Sequence, residues 1–344
     1  MADHGRAAQP GTDMPQSSEP RVPIVPIIGG GPAGMSCALW LHNYGMHPVI
    51  IEKAGALGGM ARLTPYPDEW LLGQRGKSGR ENAAAFAGHI RELAVETWLG
   101  GAPQRLRRGH DRRFRLDVAV AGAPTRSLSS PAVVIATGTR FAGEEWLERV
   151  GNARRVAAAG RLHVGAAAVG EPGLDLGSHV AVIGGGDNAF EISRILVEKG
   201  VRVTIVMRSK SPRAQPLLVE RLRRHQASGM ATVMAERTVE ALDAAASRVR
   251  VRLDGGGDIE VDHVVLLFGY RPNTNEPWLT ELALATDPLG YLLVDANMET
   301  SCRGVFAVGD VSNPTHPCIA TAIASGTVAA RTIEKRAGKT TAAS

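Results

Sequence analysis

Residues 22–53 read VPIVPIIGGGPAGMSCALWLHNYGMHPVIIEK, and this stretch is the strongest indication of the fold. An apolar run leads into Gly29-x-Gly31-x-x-Gly34, a helix-like stretch follows, and a second apolar run ends at Glu52. The first glycine permits a tight turn, the second lets backbone amides approach a pyrophosphate, and the third lets the helix pack closely on the strand. The helix N-terminus then faces the phosphates, and an acid about twenty residues further on accepts hydrogen bonds from a ribose. This pattern predicts a dinucleotide-binding unit.

Pro26 departs from that pattern, because it stands within the first apolar run. Proline has no N–H to donate to a neighbouring strand, so it is rare in the central strands of a sheet. We therefore expect the first strand to start after Pro26.

A second stretch, HVAVIGGGDNAFEISRILVEKGVRVTIVMRSKSPRA at residues 179–214, repeats the unit. Its turn reads Gly184-x-Gly186-x-x-Ala189, the accepted variant with alanine in third place. A single glycine triplet is a weak signal. Two triplets, each between an apolar run and a helix pattern, predict two nucleotide-binding units.

The residues after the second unit favour one nucleotide over the other. The second strand ends at Met207 with no acid, and Arg208, Lys210 and Arg213 follow. An acid at this point would repel a 2′-phosphate, whereas these cations attract it. The sequence therefore favours NADPH over NADH.

Three further stretches complete the two units. VVIATGTR (133–140) and VVLLFGYRPN (264–273) are typical of strands that close each unit and lead into the crossover between them. GVFAVGDV (304–311) places Asp310 after an apolar strand, where a carboxylate suits the ribityl hydroxyls of a flavin. The amides at the start of the next helix, around Thr321, are expected to meet the flavin through the positive end of the helix dipole.

Composition limits the class of protein. The chain has 344 residues, 44% hydrophobic and 21% charged, which is typical of a globular protein of two domains. Residues 1–20 are polar and rich in proline and serine, and we expect them and residues 337–344 to be disordered tails. No apolar run is long enough to span a bilayer, and the first stretch lacks the apolar segment of a signal peptide. We therefore expect a cytoplasmic protein that binds no membrane.

The three cysteines, Cys37, Cys302 and Cys318, form no Cys-x-x-Cys pair or zinc knuckle. We expect no bound metal. Cys37 falls in an apolar helix pattern, as a small core residue. Cys318 precedes the last helix, and it is either a buried structural thiol or a thiolate in charge-transfer contact with the flavin.

The chain is basic, with a net charge of +5 and a sequence pI of about 9.4. Basic runs occur at 105–115, RLRRGHDRRFR, and at 221–225, RLRRH. They are interpreted as solvated faces or, alternatively, as a docking surface for an acidic protein partner. No recognised nucleic-acid-binding module accompanies them, so we do not expect nucleic acid as a partner.

The motifs GGGPAG, ATG, GGGDNA, GYRPN and FAVGD, in this order, resemble those of the thioredoxin-reductase-like branch of the two-dinucleotide-binding flavoproteins. That branch includes the low-molecular-weight thioredoxin reductases and the ferredoxin–NADP reductases that share their fold. The resemblance implies an α/β fold of two Rossmann-like three-layer domains. An FAD domain would occupy 21–141 and 271–336, with an NAD(P)H domain inserted at 142–270. It also implies a homodimer, non-covalent FAD, NADPH, and two hinge strands about which the domains rotate.

The resemblance assigns cofactor contacts to residues of this chain, and no catalytic side chain, because the flavin itself is the reactive group. For FAD these residues are Gly29, Gly31, Pro32, Ala33, Gly34, Glu52, Lys53, Gly59, Met60, Ala136, Thr137, Gly138, Gly309, Asp310, Ile319, Ala320 and Thr321. For NADPH they are Gly184, Gly186, Asp187, Asn188, Ala189, Arg208 and Arg213. The family motif H-R-R-x-x-x-R falls on 207–213, where its first and last arginines remain and the middle one is lost.

The stretch HVGAAAVGEP, residues 163–172, differs from the disulfide-reducing members of the branch. Thioredoxin reductases carry Cys-Ala-Thr-Cys-Asp just before the second glycine turn, and here AAAVGE takes its place. Glu171 stands near the family's aspartate, a proton donor to the dithiol chemistry. Without a dithiol we interpret Glu171 as a surface residue. The other family dithiol position, in GALGGMARL (55–63), also has no cysteine.

The ferredoxin reductases of the branch lack the dithiol and carry an aromatic residue that covers the flavin shortly after a Gly-Gly turn. GGMARLTPYPDEW (58–70) offers Tyr66 and Trp70 at this place. Tyr66 is therefore a candidate for stacking on the flavin, and the alternative is that both aromatics fill the core or a loop. Those reductases also have a C-terminal extension with a second stacking residue, whereas this chain ends in KTTAAS, so one flavin face is expected to be more open.

The leading hypothesis is an NADPH-dependent FAD reductase that passes electrons directly to an acceptor such as ferredoxin or flavodoxin. One alternative is a flavin oxidase or monooxygenase acting on a small substrate. The F-x-G-x-x-x-H motif of flavin monooxygenases is missing from TRFAGEEW (139–146), which disfavours it. Another alternative is a non-catalytic flavin-binding sensor, which the intact GGGDNA turn disfavours.

Overall fold

A computed structural model describes residues 22–171, 173–245, 248–312 and 315–341. The tail expected at 1–20 lies outside the described residues. The strands are β1 (Ile24–Ile28), β2 (His47–Glu52), β3 (Glu96–Leu99), β4 (Gly101–Arg108), β5 (Phe114–Val120), β6 (Arg126–Ser130), β7 (Val133–Ile135), β8 (Thr139–Phe141), β9 (Leu162–Val164), β10 (His179–Ile183), β11 (Arg202–Val206), β12 (Ala231–Met234), β13 (Val239–Ala245), β14 (Arg248–Leu253), β15 (Ile259–Val261), β16 (His263–Leu266), β17 (Tyr270–Pro272) and β18 (Val305–Ala307). The helices are α1 (Pro32–Asn43), α2 (Gly79–Glu92), α3 (Glu144–Arg149), α4 (Ala153–Ala158), α5 (Asp187–Glu198), α6 (Pro216–Gln226), α7 (Pro277–Thr280) and α8 (Ile319–Thr341).

The first unit is a parallel sheet in the order β18-β7-β1-β2-β3, covered on both faces. One face packs against α1 and α8, in a core that includes Ile27, Leu41 and Phe306. The other face packs against the antiparallel sheet β4-β5-β6 through Leu106 and Phe114. Strands buried on both faces explain why the strand sequences read as continuous apolar runs.

The second unit repeats these three layers around a parallel sheet in the order β12-β11-β10-β16-β9. Helices α5 and α6 cover one face, through residues such as Phe190 and Leu222. The small antiparallel sheet β13-β14-β15 and helices α3 and α4 cover the other face. The α/β fold with two Rossmann-like units is therefore confirmed.

Two short strands connect the units. The chain leaves the first unit through β8 and returns through β17, and these strands pair in antiparallel register, Tyr270 with Phe141 and Pro272 with Thr139. The second unit is thereby enclosed between β7 and β18, the last two strands of the first sheet.

The expectation about Pro26 was wrong, because β1 starts at Ile24 and includes the proline. Ile28 O accepts a hydrogen bond from Ala136 N, so the backbone groups of Ile28 point toward β7. Backbone groups two residues apart in a strand point to the same side, so the nitrogen of Pro26 points toward β7 as well. The pairing of β1 with β7 begins only at Ile27. The missing N–H therefore falls where β1 has no ladder partner.

The last helix extends into the stretch 337–344, which was expected to be a disordered tail. Helix α8 continues to Thr341, so residues 337–341 are helical, and 342–344 lie outside the described residues. Arg336 near this end is held by a two-armed ion pair with Glu299, one arm of which measures 2.8 Å from Nη2 to Oε2. Within the described part of the chain, no helix combines the length and the apolar character needed to cross a membrane.

A pair of histidines joins two strands of the second sheet and predicts a pH effect. His163 Nε2 on β9 lies 2.9 Å from His263 Nδ1 on β16, and the two rings stack. Burial and the neighbouring His263 lower the pKa of His163 from 6.5 to about 4, and burial lowers the pKa of His263 as well. The unfolded chain therefore binds more protons than the folded chain below pH 6.5, and stability falls as the pH drops toward 4.

We expect the Tm to fall by several degrees between pH 7 and pH 5, and to fall less in the variant His163→Gln/His263→Gln. Thermal unfolding followed by circular dichroism at both pH values measures this. An equal fall in the two proteins would show that the pair does not cause it.

Candidate active site

A cavity of about 900 Å³ lies where the two units meet. This volume is at the upper end of the range for pockets that hold cofactors. Its walls come from the β1–α1 turn, the β7–β8 segment, the turn that follows β18, the start of α8 and the first turn of α5. Both predicted nucleotide units therefore open into one space.

The β1–α1 turn is built from glycines with different tasks. Gly29 has φ +113°, and a Cβ there would lie 2.2 Å from the carbonyl oxygen of Ala136. A Cβ on Gly34 would lie 2.1 Å from the carbonyl oxygen of Gly29. At Gly31 the nearest atom to a Cβ would be 3.8 Å away, so this glycine leaves room beside the turn. Gly29 and Gly34 are thus required by the fold, and Gly31 by whatever occupies the cavity.

Glu52, at the end of β2, stabilises the β1–α1 turn through hydrogen bonds. Its carboxylate accepts hydrogen bonds from Gly30 N and Ala54 N, each at 2.7 Å. The side chain lines the cavity, with further lone pairs free to accept ribose hydroxyls. Lys53 beside it also lines the cavity, and its Nζ lies 3.8 Å from Glu276 Oε1.

Asp310, which follows β18, places a carboxyl group on the cavity wall. Burial raises the pKa of its carboxyl, and among the described residues no side chain or amide donates a hydrogen bond to it. An orphaned, half-buried carboxyl on a cavity wall is costly unless a ligand supplies donors. The ribityl hydroxyls of FAD are such donors, so the residues fit this cofactor.

The start of α8 forms another part of the cavity wall. Ile319 lines the cavity, whereas Ala320 and Thr321 do not. The hydroxyl of Thr321 donates to His316 O at 2.9 Å and accepts from Cys318 N at 3.1 Å. Thr321 therefore stabilises the first turn of the helix, and only backbone groups of this turn are free for a cofactor. Pro32, Ala33, Gly59, Met60 and Gly309 line the cavity as well.

The segment between the units is fixed by reciprocal hydrogen bonds. Asn273 donates through Nδ2 to Thr137 O at 2.8 Å, and Thr137 donates through Oγ1 to Asn273 O at 3.0 Å. Asn273 N also donates to Gly138 O at 3.0 Å. This cluster fixes Ala136, Thr137 and Gly138 on the cavity wall. Asn273 stands in the motif GYRPN, and the sequence alone gives no sign of this role.

In the second glycine turn, as in the first, one glycine has no room for a Cβ and another leaves open space. Gly184 has φ +153°, and a Cβ there would lie 2.4 Å from Leu267 O. A Cβ on Gly186 would meet no atom within 4 Å, and Ala189 is fully buried below the turn. Gly186 therefore leaves space for a phosphate at the start of α5.

Asp187 and Asn188 reach the cavity but already have partners. Asp187 accepts from Gln215 N at 2.7 Å and from Gln215 Nε2 at 3.1 Å, which fixes the entry to α6. Asn188 Nδ2 donates to the hydroxyl of Tyr270 at 3.0 Å. Their side chains orient the site, and the amides of the turn remain free for a nucleotide.

The cations after β11 are exposed and unpaired. Arg208, Lys210 and Arg213 form no ion pair with any described residue, and Arg213 N donates to Gly185 O at 2.8 Å. Free guanidinium groups beside a glycine turn suit the 2′-phosphate of NADPH.

Aromatic side chains lie at the junction of the units. Tyr66 lines the cavity and packs against the core of the second unit, and burial raises the pKa of its hydroxyl. Trp70 also lines the cavity but remains 65% exposed. Tyr270 stacks on Phe141 at 5.5 Å between ring centroids. The sequence does not reveal this stack, because the two residues are far apart in the chain.

The stretch 163–172 carries no thiol to the cavity. Ala166 lines the wall, Glu171 is exposed, and a Cβ on Gly170 would lie 2.1 Å from Pro65 Cγ. Among the described lining residues, Cys318 is the one cysteine, and its Sγ lies 3.5 Å from Thr321 Oγ1. A cysteine pair between the two nucleotide turns is thus missing.

Comparison with known proteins agrees with this geometry. Residues 24–331 match the family of pyridine nucleotide-disulphide oxidoreductases. A ferredoxin–NADP reductase of Ignicoccus hospitalis is 29% identical over 321 residues, 88% of this chain and 94% of that protein. A ferredoxin–NADP reductase of Limosilactobacillus fermentum is 30% identical over 300 residues, 83% of this chain and 84% of that protein. A 34.2 kDa protein in the rubredoxin operon of Clostridium pasteurianum is 26% identical over 318 residues, 91% and 96% of the two chains.

Solved structures agree in fold. The thioredoxin reductases of Lactococcus lactis and T. acidophilum superpose with TM-scores of 0.76 and 0.77. Each is 24% identical to this chain, and each comparison covers 91% of this chain and 98% of the other. The predicted resemblance, the two cofactors FAD and NADPH, and the reductase class are confirmed. The chain belongs to the pyridine nucleotide-disulphide oxidoreductase family, as a flavoprotein reductase without the redox cysteine pair.

Proposed function

We propose that the chain is a ferredoxin–NADP reductase: FAD, when bound, would supply the chemistry that accepts a hydride from NADPH and passes electrons one at a time to a small iron–sulfur protein or flavodoxin. The reaction balances as one NADPH and two oxidised carriers giving NADP⁺, two reduced carriers and one proton. The observation that carries the proposal is one cavity, lined by the first nucleotide turn and by Asp187 and Asn188 directly after the second turn, with no cysteine pair among its described lining residues. The two similar proteins named ferredoxin–NADP reductase support the same acceptor class.

The chain contributes binding and orientation. The amides of the turn at Gly31 and the carboxyl of Asp310 would hold the pyrophosphate and the ribityl chain of FAD. Glu52 would accept the adenosine ribose. The turn at Gly186 with Arg208 and Arg213 would hold NADPH. No protein group needs to move a proton for a hydride transfer between aligned rings, so positioning is the main task of these residues.

We also propose the cofactor residues and the domain bounds. The FAD and NADPH residue sets given under the sequence analysis remain our proposal, with Tyr66 at the flavin end. The NAD(P)H domain would occupy 142–270 and the FAD domain 21–141 and 271–336, with β8 and β17 as the hinge. Ala320 and Thr321 would contribute only backbone groups.

Anaerobic stopped-flow mixing of the FAD-loaded protein with NADPH or NADH tests the proposal. We expect fast bleaching of the flavin absorbance by NADPH, slow bleaching by NADH, and reoxidation by a plant-type [2Fe–2S] ferredoxin. A flavin that neither nucleotide bleaches would contradict the proposal and favour a sensor. Reoxidation by oxygen but by no carrier protein would favour an oxidase.

The proposed assembly is a homodimer. Helices α1 and α8 pack against each other, and their outer faces expose Trp40 to 39% and Val328 to 37%. Large apolar residues exposed on adjoining helices are typical of a subunit interface. The free state of Cys37, Cys302 and Cys318 is consistent with a reducing compartment, which we propose is the cytoplasm.

We expect Trp40→Glu to convert the dimer into a monomer, because a buried charge without a partner is unfavourable at an interface. Light scattering after size-exclusion chromatography measures the mass. The matched control is Leu289→Glu, because Leu289 is 61% exposed and lies outside α1 and α8. A Trp40→Glu protein that stays dimeric would exclude this interface.

A further inference from the structure

Residues 67–78 fold into a closed loop just before α2, called the 67–78 loop below. Pro67 and Ser78 form an antiparallel bridge, and Asp68 N donates to Lys77 O at 2.9 Å. Inside the loop, Gln74 N donates to Leu71 O and Lys77 N donates to Gln74 O, each at 3.1 Å. The loop is therefore a defined surface feature and carries its own hydrogen bonds. Compact loops of this kind are frequently functional.

The 67–78 loop presents apolar side chains at the mouth of the cavity. Trp70 lines the cavity and is 65% exposed, and Leu72 at the tip is 99% exposed. Leu217 at the start of α6 lines the same mouth and is 56% exposed. Single exposed apolar residues are ordinary, but three of this size beside one cavity mark an interaction surface.

The two cations of the 67–78 loop have no ion-pair partner. Arg75 and Lys77 are exposed, and neither forms an ion pair with a described residue. Of the nearby acids, Glu69 pairs with Arg221 at 3.5 Å, and Asp68 accepts a hydrogen bond from Trp70 N. The loop therefore presents two unpaired cations beside exposed apolar side chains. This arrangement fits a partner with an acidic rim and an apolar centre.

We propose that the 67–78 loop and Leu217 form the docking surface for a small acidic electron-carrier protein, an inference that rests on the proposed function. A carrier seated there would contact Trp70 and so stand at the mouth of the cavity. The chain's net charge of +5 adds to the attraction.

The other basic run, 105–115, is a weaker candidate because of its position, although Arg107 and Arg112 form no ion pair with a described residue. Arg105 pairs with Glu281, Arg113 donates to Ser129, and Arg115 pairs with Asp111. Only the residues at the start of β4, before this run, line the cavity. The run leads away from the cavity along the hairpin of β4 and β5.

The test uses the full-length FAD-loaded protein, NADPH and a plant-type [2Fe–2S] ferredoxin of net negative charge, without oxygen. We expect Arg75→Glu/Lys77→Glu to lower kcat/KM for ferredoxin about tenfold at an ionic strength of about 0.01 M, and less at about 0.15 M, because salt screens these charges. Leu72→Ser is expected to lower kcat/KM about threefold at both ionic strengths, because an apolar contact is not screened. Reduction of a neutral quinone by NADPH should change by less than about twofold in these variants, since the altered side chains lie outside the cavity.

Arg107→Glu/Arg112→Glu is the matched control, because it makes the same change in net charge on the hairpin of β4 and β5. An equal loss in this control, or no loss in Arg75→Glu/Lys77→Glu, would overturn the docking surface. A change of oligomeric state in the loop variants would assign the loop to contacts between copies of the chain, and would overturn it as well.

Titration of oxidised ferredoxin without NADPH separates the two proposals. Binding that Arg75→Glu/Lys77→Glu weakens supports the docking surface even if no electrons pass and the proposed function fails. If ferredoxin is reduced equally fast by the loop variants and by the unchanged protein, the docking surface is wrong and the proposed function still holds.

Discussion

Replacing Gly31 with valine is expected to abolish FAD binding and leave the fold intact. Gly31 has φ −75° and ψ −179°, an extended conformation that any residue adopts, and its Cβ would approach no atom closer than 3.8 Å. The valine side chain would instead fill the space beside the turn where backbone amides approach a pyrophosphate. The flavin-to-protein absorbance ratio should fall to near zero, while circular dichroism keeps the wild-type spectrum.

Two further glycines provide the controls for this prediction. Gly34→Val should fail to fold, because its Cβ would lie 2.1 Å from Gly29 O. Gly186→Val should keep its FAD and lose bleaching by NADPH, because it changes the second turn only. A Gly31→Val protein that purifies with a full complement of FAD would refute the assignment of the first turn.

Replacing both Arg208 and Arg213 with alanine is expected to remove the preference for NADPH. A hydrogen bond to a charged group contributes about 1.5–3 kcal/mol. Two such bonds to the 2′-phosphate should therefore lower kcat/KM for NADPH by about 100-fold or more. NADH has no 2′-phosphate, so its kcat/KM should change by less than about threefold.

Steady-state reduction of a neutral quinone with each nucleotide measures this change in preference. Arg202→Ala/Arg224→Ala removes two exposed cations from the same unit, away from the end of β11, and should leave the preference unchanged. An equal loss with NADPH and NADH would show that the two arginines support the fold of the unit and do not select the nucleotide.

The glycine turns could be predicted because the spacing of their glycines is visible in the sequence. Gly34 is required by a contact with Gly29 inside the same strand–turn–helix unit. The reason for Gly29 and Gly184 is only partly local, because each has a positive φ but also faces a backbone carbonyl that follows a neighbouring strand. The α/β fold followed from the two units, since an apolar run before each turn specifies a buried parallel strand. The start of β1 was predicted wrongly, because the effect of Pro26 depends on where β7 begins to pair.

The residues that assemble the cavity could not be predicted from the sequence. Asp187 meets Gln215, Tyr270 meets Phe141, and Glu69 meets Arg221 across separations of 28 residues and more. The first pair joins two helices of the second unit, and the other two pairs form where the two units meet. Each position read alone looks like an ordinary polar or aromatic residue. The role of Asn273 became visible only with its bonds to Thr137.

We expect electrons to pass from the flavin to the acceptor without an intervening dithiol. An anaerobic titration of the FAD-loaded protein with NADPH, read by flavin absorbance and nucleotide consumption, tests it most directly. We predict complete bleaching after one NADPH per FAD, no further uptake, and two ferredoxin molecules reduced when the carrier is added. Uptake of a second NADPH per FAD, with reduction of a protein disulfide such as that of thioredoxin, would contradict the claim.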